Sequence, residues 1–153
     1  MRAVYTRTFS VPVSSIDMNG HVSNIEYLRW MQEAATEHTA SEGWTLERYR
    51  EHHTIWVVRK HTIEYNRPAF AGDLLSLHTW ISSVTECQSI RRYLLTKAGE
   101  RRVLASAETL WVCIDTESGR PKRVPQEFLS AFDLVEGDSD ALDIAFSTNH
   151  QTQ

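Results

Sequence analysis

Asp17-Met18-Asn19-Gly20-His21-Val22-Ser23-Asn24-Ile25-Glu26-Tyr27 runs from a polar turn into the start of a helix. Asn19-Gly20 is a turn signal. Ser23-x-x-Glu26 fits a capping box, in which each side chain satisfies an orphan N–H of the first helical turn. Tyr27, Leu28, Met31, Ala34, Ala35 and His38 then recur at helical spacing, and Gly43 is a plausible stop. Ala34 and Ala35 are small, so this long helix can lie close against a sheet.

Outward from that helix the chain reads as strands. Upstream, Tyr5, Arg7, Phe9 and Val11 alternate with polar residues until Pro12 ends regular pairing. Downstream, a short helix spans Thr45 to about His52. Strands follow at Thr54 to Tyr65, Leu74 to Val84, Ser89 to Thr96 and Arg102 to Asp115. Asn66-Arg67-Pro68, Lys97-Ala98-Gly99-Glu100 and Glu117-Ser118-Gly119 break them, and Pro125 opens a short helix through about Phe132. Mostly short turns imply antiparallel pairing. The expected class is α+β, one antiparallel sheet of about five strands packed on one long helix in two layers. Residues 1–135 form that domain. Glu136, Asp138, Asp140 and Asp143 make residues 136–153 an acidic and polar C-terminal tail, expected to be loosely held.

Composition narrows the function classes. The chain has 153 residues, 41% hydrophobic and 24% charged, enough for one self-sufficient core. A net charge of −4 disfavours nucleic acid as a partner. No apolar run reaches bilayer length, and no apolar stretch of the signal-peptide kind follows the N-terminal charges. Cys87 and Cys113 match no Cys-x-x-Cys pattern, so a reducing cytoplasm is expected. Seven histidines include no paired ligand spacing, and no metal is expected. No Gly-x-Ser-x-Gly elbow suggests a serine hydrolase.

Asp17, Asn19, Gly20 and His21 place a carboxylate, an amide, a flexible glycine and an imidazole before a helix N-terminus. Its first N–H groups lack intrahelical partners and its dipole end is positive, which suits a polarised carbonyl or an oxyanion. Asp17 could attack such a carbonyl or activate water beside it. The same residues are also ordinary turn and cap residues, and spacing alone leaves both readings open.

The pattern D-x-N-G-H-V-x-N-x-x-Y from Asp17 to Tyr27, followed by Leu28-Arg29-Trp30, resembles the signature of the 4-hydroxybenzoyl-CoA thioesterase family. Trp56 to Ala69 is similar to that family's second strand and the turn after it, and Phe70-Ala71-Gly72-Asp73 to its usual lead into the third. The resemblance covers roughly Tyr5 to Phe132. It implies a hot dog fold, a curved antiparallel sheet wrapped around the long helix. It implies homodimers, often paired into homotetramers, with active sites at the dimer interface. It gives Asp17 the role of nucleophile or general base. The Asn24 N–H polarises the thioester carbonyl, Tyr27 lies on the pocket side, and Asn19, Gly20, His21 and Val22 hold substrate. Arg59 and His61 of the partner's second strand complete the pocket. The substrate implied is an acyl-CoA, or an acyl group on an acyl carrier protein, with coenzyme A as part of the substrate and no separate cofactor.

Two departures matter. Relatives specialised for aromatic thioesters often carry aromatic or apolar residues where His21, Ser23 and Asn24 stand. Relatives with a basic run before the fourth strand have there what is here Glu86-Cys87-Gln88-Ser89, so Arg120, Lys122 and Arg123 become the phosphate candidates. Other expectations from the residues are an enoyl-CoA hydratase of the same fold, drawing on Asp17 and His21, and a non-catalytic acyl-CoA-binding module.

Overall fold

The computed structural model describes residues 3–151. In chain order the elements are β1 (Val4–Ser10), α1 (Asn24–Ser41), α2 (Leu46–Glu51), β2 (Thr54–Tyr65), β3 (Leu74–Val84), β4 (Gln88–Lys97), β5 (Val103–Asp115), α3 (Gln126–Leu129) and α4 (Asp138–Gln151). The five strands form one antiparallel sheet in the order β1-β3-β4-β5-β2. β2 and β3 are consecutive in sequence yet do not pair. The chain from 66 to 73 carries β3 across the sheet to lie beside β1, leaving β2 at the far edge. A pleat offset between Val58 and Lys60 takes Arg59 out of the β2–β5 ladder.

α1 buries Tyr27, Trp30, Met31, Ala34, Ala35 and His38. Trp30 takes the core position that the spacing argument gave to Leu28, which is only half-buried. This face packs on Leu75, Leu77, Tyr93, Leu95, Ala105 and Ala107 of the sheet. Phe9 meets Trp30 edge-on at 4.8 Å, while Arg7 reaches Glu33 at 2.7 Å and the Tyr5 hydroxyl donates to Glu37 at 3.0 Å. The alternating face of β1 is thus what holds it against the helix. Gly43, at φ +88°, ends the helix where a side chain would be strained.

The opposite sheet face is covered too, which the two-layer expectation did not include. The expected loose tail is instead α4 from residue 138 onward. Ala141 and Ala145 are buried against Val4, Trp80, Leu94 and Val135, with Leu142 beside them. Small apolar residues one turn apart seat the helix, and two of its three acids are paired. Asp138 receives Arg92 Nε at 2.7 Å, and Asp143 pairs with Arg101. With a helix on each side, β3 is buried continuously from Leu75 to Ile81. A third cluster of Trp44, Ile81, Cys113, Val124, Phe128 and Phe132 fills the end of the sheet under α2 and α3. No helix among the described residues is long and apolar enough to cross a membrane.

Candidate active site

The loop before α1 is a miniature hairpin. Ile16 and Val22 bridge antiparallel, and the Asp17 N–H donates to the His21 carbonyl at 3.0 Å. The Gly20 N–H closes the turn on the Asp17 carbonyl at 3.1 Å, and Gly20 sits at φ +84°, where only glycine is unstrained. Two backbone bonds fasten this hairpin to the body. Val22 N–H donates to Ala69 O and Ser23 N–H to Ser15 O, each at 2.9 Å.

The Asp17 carboxylate is half-buried. Its Oδ1 accepts the Asn19 N–H at 2.8 Å, an Asx turn that fixes the side chain, and Oδ2 has no protein partner among the described residues. The expected capping box does not form. Ser23 is the N-cap residue but its hydroxyl caps nothing. Glu26 turns instead to Arg29 at 2.7 Å and to the Ser15 hydroxyl at 3.4 Å. The ion pair outcompetes the reciprocal cap, and the Asn24 N–H is left without an acceptor among the described residues. An open N–H at the positive end of an 18-residue helix therefore follows a loop whose carboxylate is held at Oδ1 and has Oδ2 unbonded among the described residues.

Tyr27 lies beneath this arrangement rather than in the open. It is 3% exposed and meets Trp30 and Tyr65 edge-on. Burial chiefly pushes its hydroxyl up, with Tyr65, Asp17 and Asp73 adding and a hydrogen bond from the Ala69 backbone opposing. The nearby Asp17 charge and the protonated phenol are thus parts of one cluster. Tyr65, at the end of β2, donates its hydroxyl to the Asn24 carbonyl at 3.4 Å. By sequence Tyr65 is the last residue of a strand and carries no site role. Its signal was an exposed aromatic at a strand end.

Several expected residues take other places. Val22 is 1% exposed in the core and its N–H is used by Ala69, so it anchors the loop and offers no surface to substrate. Met18, Asn19 and Gly20 are exposed and His21 half-buried on the hairpin tip. Arg59 is exposed at the strand offset. His61 Nδ1 bonds the Thr109 hydroxyl across the ladder at 2.7 Å, and burial pushes the imidazole down, toward the neutral form. Arg120, Lys122 and Arg123 sit after β5, whose end pairs with Thr54 at the start of β2. Lys122 Nζ is engaged by the His52 carbonyl at 2.9 Å, and Arg123 approaches Glu86 at 3.5 Å. Tyr65 marks the Asp17 end of β2. The 12 residues of that strand separate the two by about 35 Å within one chain. One protomer does not bring the basic turn to Asp17.

A curved five-stranded antiparallel sheet carrying one long central helix, with a carboxylate loop at the helix start, defines a hot dog fold of the thioesterase type. The family model for the acyl-ACP thioesterase N-terminal domain matches residues 2–132, and the chain belongs to that family. It is 28% identical over 116 residues to the acyl-CoA thioester hydrolase YbgC of Escherichia coli O6:H1, covering 76% of this chain and 86% of that protein. It is 30% identical over 106 residues to the long-chain acyl-CoA thioesterase FadM of Escherichia coli K12, covering 67% and 77%. Among solved structures, a 1,4-dihydroxy-2-naphthoyl-CoA thioesterase from Synechocystis superposes with a TM-score of 0.76 at 23% identity, over 84% of this chain and 94% of that one.

Proposed function

We propose that the chain is a thioester hydrolase that cleaves acyl-CoA, or acyl groups on acyl carrier protein, to free acid and thiol. The observation that carries this reading is the uncapped Asn24 N–H at the head of α1, with the Asp17 carboxylate on the hairpin that leads into it. The N–H and the helix dipole polarise the thioester carbonyl and hold the oxyanion. Asp17 either adds to that carbonyl, giving an acyl-enzyme anhydride that water opens, or takes a proton from the attacking water. In the general-base route Asp17 passes the proton it took from water to the departing thiolate; in the anhydride route the thiolate leaves first and takes up a proton released when water opens the anhydride. Tyr27 supports the loop from below, and Asn19 and Gly20 set the carboxylate.

The working unit in this reading is a dimer joined along β2. That strand is an open edge, with Ile55 at 40% and Val57 at 39% exposure. Antiparallel pairing of two β2 edges sets the Arg120 end of one protomer beside the Tyr65 and Asp17 end of the other. This explains how a basic turn about 35 Å away in one chain could meet the phosphates of a substrate cleaved in its partner. Exposed Met18 and Ile25 around the hairpin fit the same cover. Two such dimers pairing into a tetramer are the extension the family resemblance implies, and a reducing cytoplasm suits the two free thiols.

The test is release of free thiol from a panel of aliphatic and aromatic acyl-CoAs and from acyl carrier protein thioesters. Equal amounts of thiol and acid are expected from at least one of them. Addition of water to crotonyl-CoA without thiol release would assign the site to hydration instead. Binding of acyl-CoA with neither reaction would make the chain a carrier.

A further inference from the structure

A cavity of about 330 Å³ lies between the C-terminal half of α1, α2 and the sheet, and Asp17 is not among the residues that line it. From Asn24 to Thr39 the helix rises about 22 Å, so within a protomer this cavity is well separated from the cleavage site. Its walls are apolar and aromatic, with Trp44, Trp56, Trp111 and Phe128 among them. Thr36, Ala40, Leu46 and Ile55 are exposed and rim its mouth. Ile81, Ser89 and Arg91 are buried and form its floor.

Arg91 is the unusual member. It is 3% exposed, and no carboxylate pairs with it among the described residues. Its Nη1 donates to His38 Nδ1 at 2.9 Å and to the Thr79 hydroxyl at 3.1 Å, and its Nε and Nη2 donate to no protein atom among the described residues. Because a guanidinium only donates, His38 Nδ1 must be the acceptor. A buried cation held by neutral groups carries a desolvation penalty that an anion would offset. The indole N–H of Trp44 in the same wall is also buried with no partner. The cavity has room for roughly ten water-sized groups, the size of an eight-carbon carboxylate.

We propose that this cavity binds a medium-length apolar carboxylic acid, its chain against the tryptophans and its carboxylate on the free Nε and Nη2 of Arg91. Within one protomer the cavity stands apart from Asp17, whereas the β2 pairing proposed above would set its Ile55 rim toward the partner's Asp17; binding of the acid is read directly and stands whether or not Asp17 is catalytic. The free acid and an acyl group ending in a carboxylate share this chemistry, and the test separates them.

The experiment titrates the intact protein with octanoate, octanol and octylamine while following tryptophan emission, since three tryptophans line the cavity. Saturable octanoate binding at least tenfold tighter than octanol is expected, with octylamine weaker still. Octanol binding as tightly as octanoate, or no saturable binding of octanoate, would overturn the proposal. Arg91→Met keeps the cavity and removes the charge, so it should retain octanol and lose the preference for octanoate. A preference that survives in this variant also overturns the assignment. Should Arg91→Met fail to fold, Ala40→Phe at the exposed rim narrows the mouth and leaves Arg91 in place. It should weaken octanoate at least tenfold, and unchanged binding counts against the site. Suberyl-CoA competing with octanoate in proportion to its concentration identifies the carboxylate-ended acyl group as a source. Its failure to compete leaves the free acid as the ligand.

Discussion

His78 shows how single residues set the pH behaviour of this fold. Its Nδ1 meets the Thr6 hydroxyl at 2.9 Å and its Nε2 the Thr96 hydroxyl at 3.2 Å, so one imidazole ties β1, β3 and β4 together. Burial pushes it down to about 4 from an ordinary 6.5. The unfolded chain therefore binds a proton at mildly acidic pH that the folded chain refuses. Stability is complete above about pH 6.5 and falls as the pH drops toward 4, by about 3 kcal/mol in full. Urea unfolding at pH 7.5, 5.5 and 4.5 should show this decline, and His78→Gln should flatten it. The thiols give a second reading at the same scale. Far apart in sequence, Cys87 just before β4 and Cys113 in β5 are joined by the backbone, with Cys113 N–H donating to Cys87 O at 2.8 Å. Burial pushes the Cys113 thiol up to about 11. Iodoacetamide at neutral pH should label half-exposed Cys87 first, with Cys113 reacting only on unfolding.

Elements were legible where a periodic pattern met a clear stop. β2 and β3 run over the residues their apolar and β-branched content marked out, and α1 ends just before Gly43. α4 was not legible, because its acids read as a solvated tail until Arg92 and Arg101 are seen to neutralise them. The two residues it buries, Ala141 and Ala145, are small and give little amphipathic signal. Strand order was equally hidden. Local turns say that neighbours run antiparallel, but nothing in 66–73 says that this segment crosses the sheet. The Ser23 cap failed for a similar reason, since the competing partner of Glu26 was Arg29. The packing of α4 makes a prediction of its own. Ala141 is fully buried, so Ala141→Asp sets an unpaired charge against Trp80 and Leu94 and should cost about 2–4 kcal/mol by denaturant unfolding. An equal stability in that variant would mean that the helix does not hold the sheet.

The whole molecule is where the candidate site was least readable from sequence. Asp17, Asn24 and Tyr27 lie on one hairpin and the first helical turn, and the Asp17 side chain is close enough to be felt at the Tyr27 phenol, so this part of the candidate site was local to the motif. Arg59, His61 and the basic turn at Arg120 could not be placed, because the strand order that puts β2 at the far edge, and the basic turn at the opposite end of that strand from Tyr65, is not written in local sequence. Val57→Lys puts a charge on that edge. It should give a monomer in sedimentation velocity and lower thioester cleavage at least tenfold with the fold intact. A stable dimer with unchanged activity would place the interface elsewhere. Whether Asp17 does the chemistry is read from one rate, thiol release from the preferred acyl-CoA by Asp17→Asn beside the parent chain at matched folding and oligomeric state. A fall of at least about a hundredfold, some 3 kcal/mol of barrier, is expected. Release at the parent rate would contradict it.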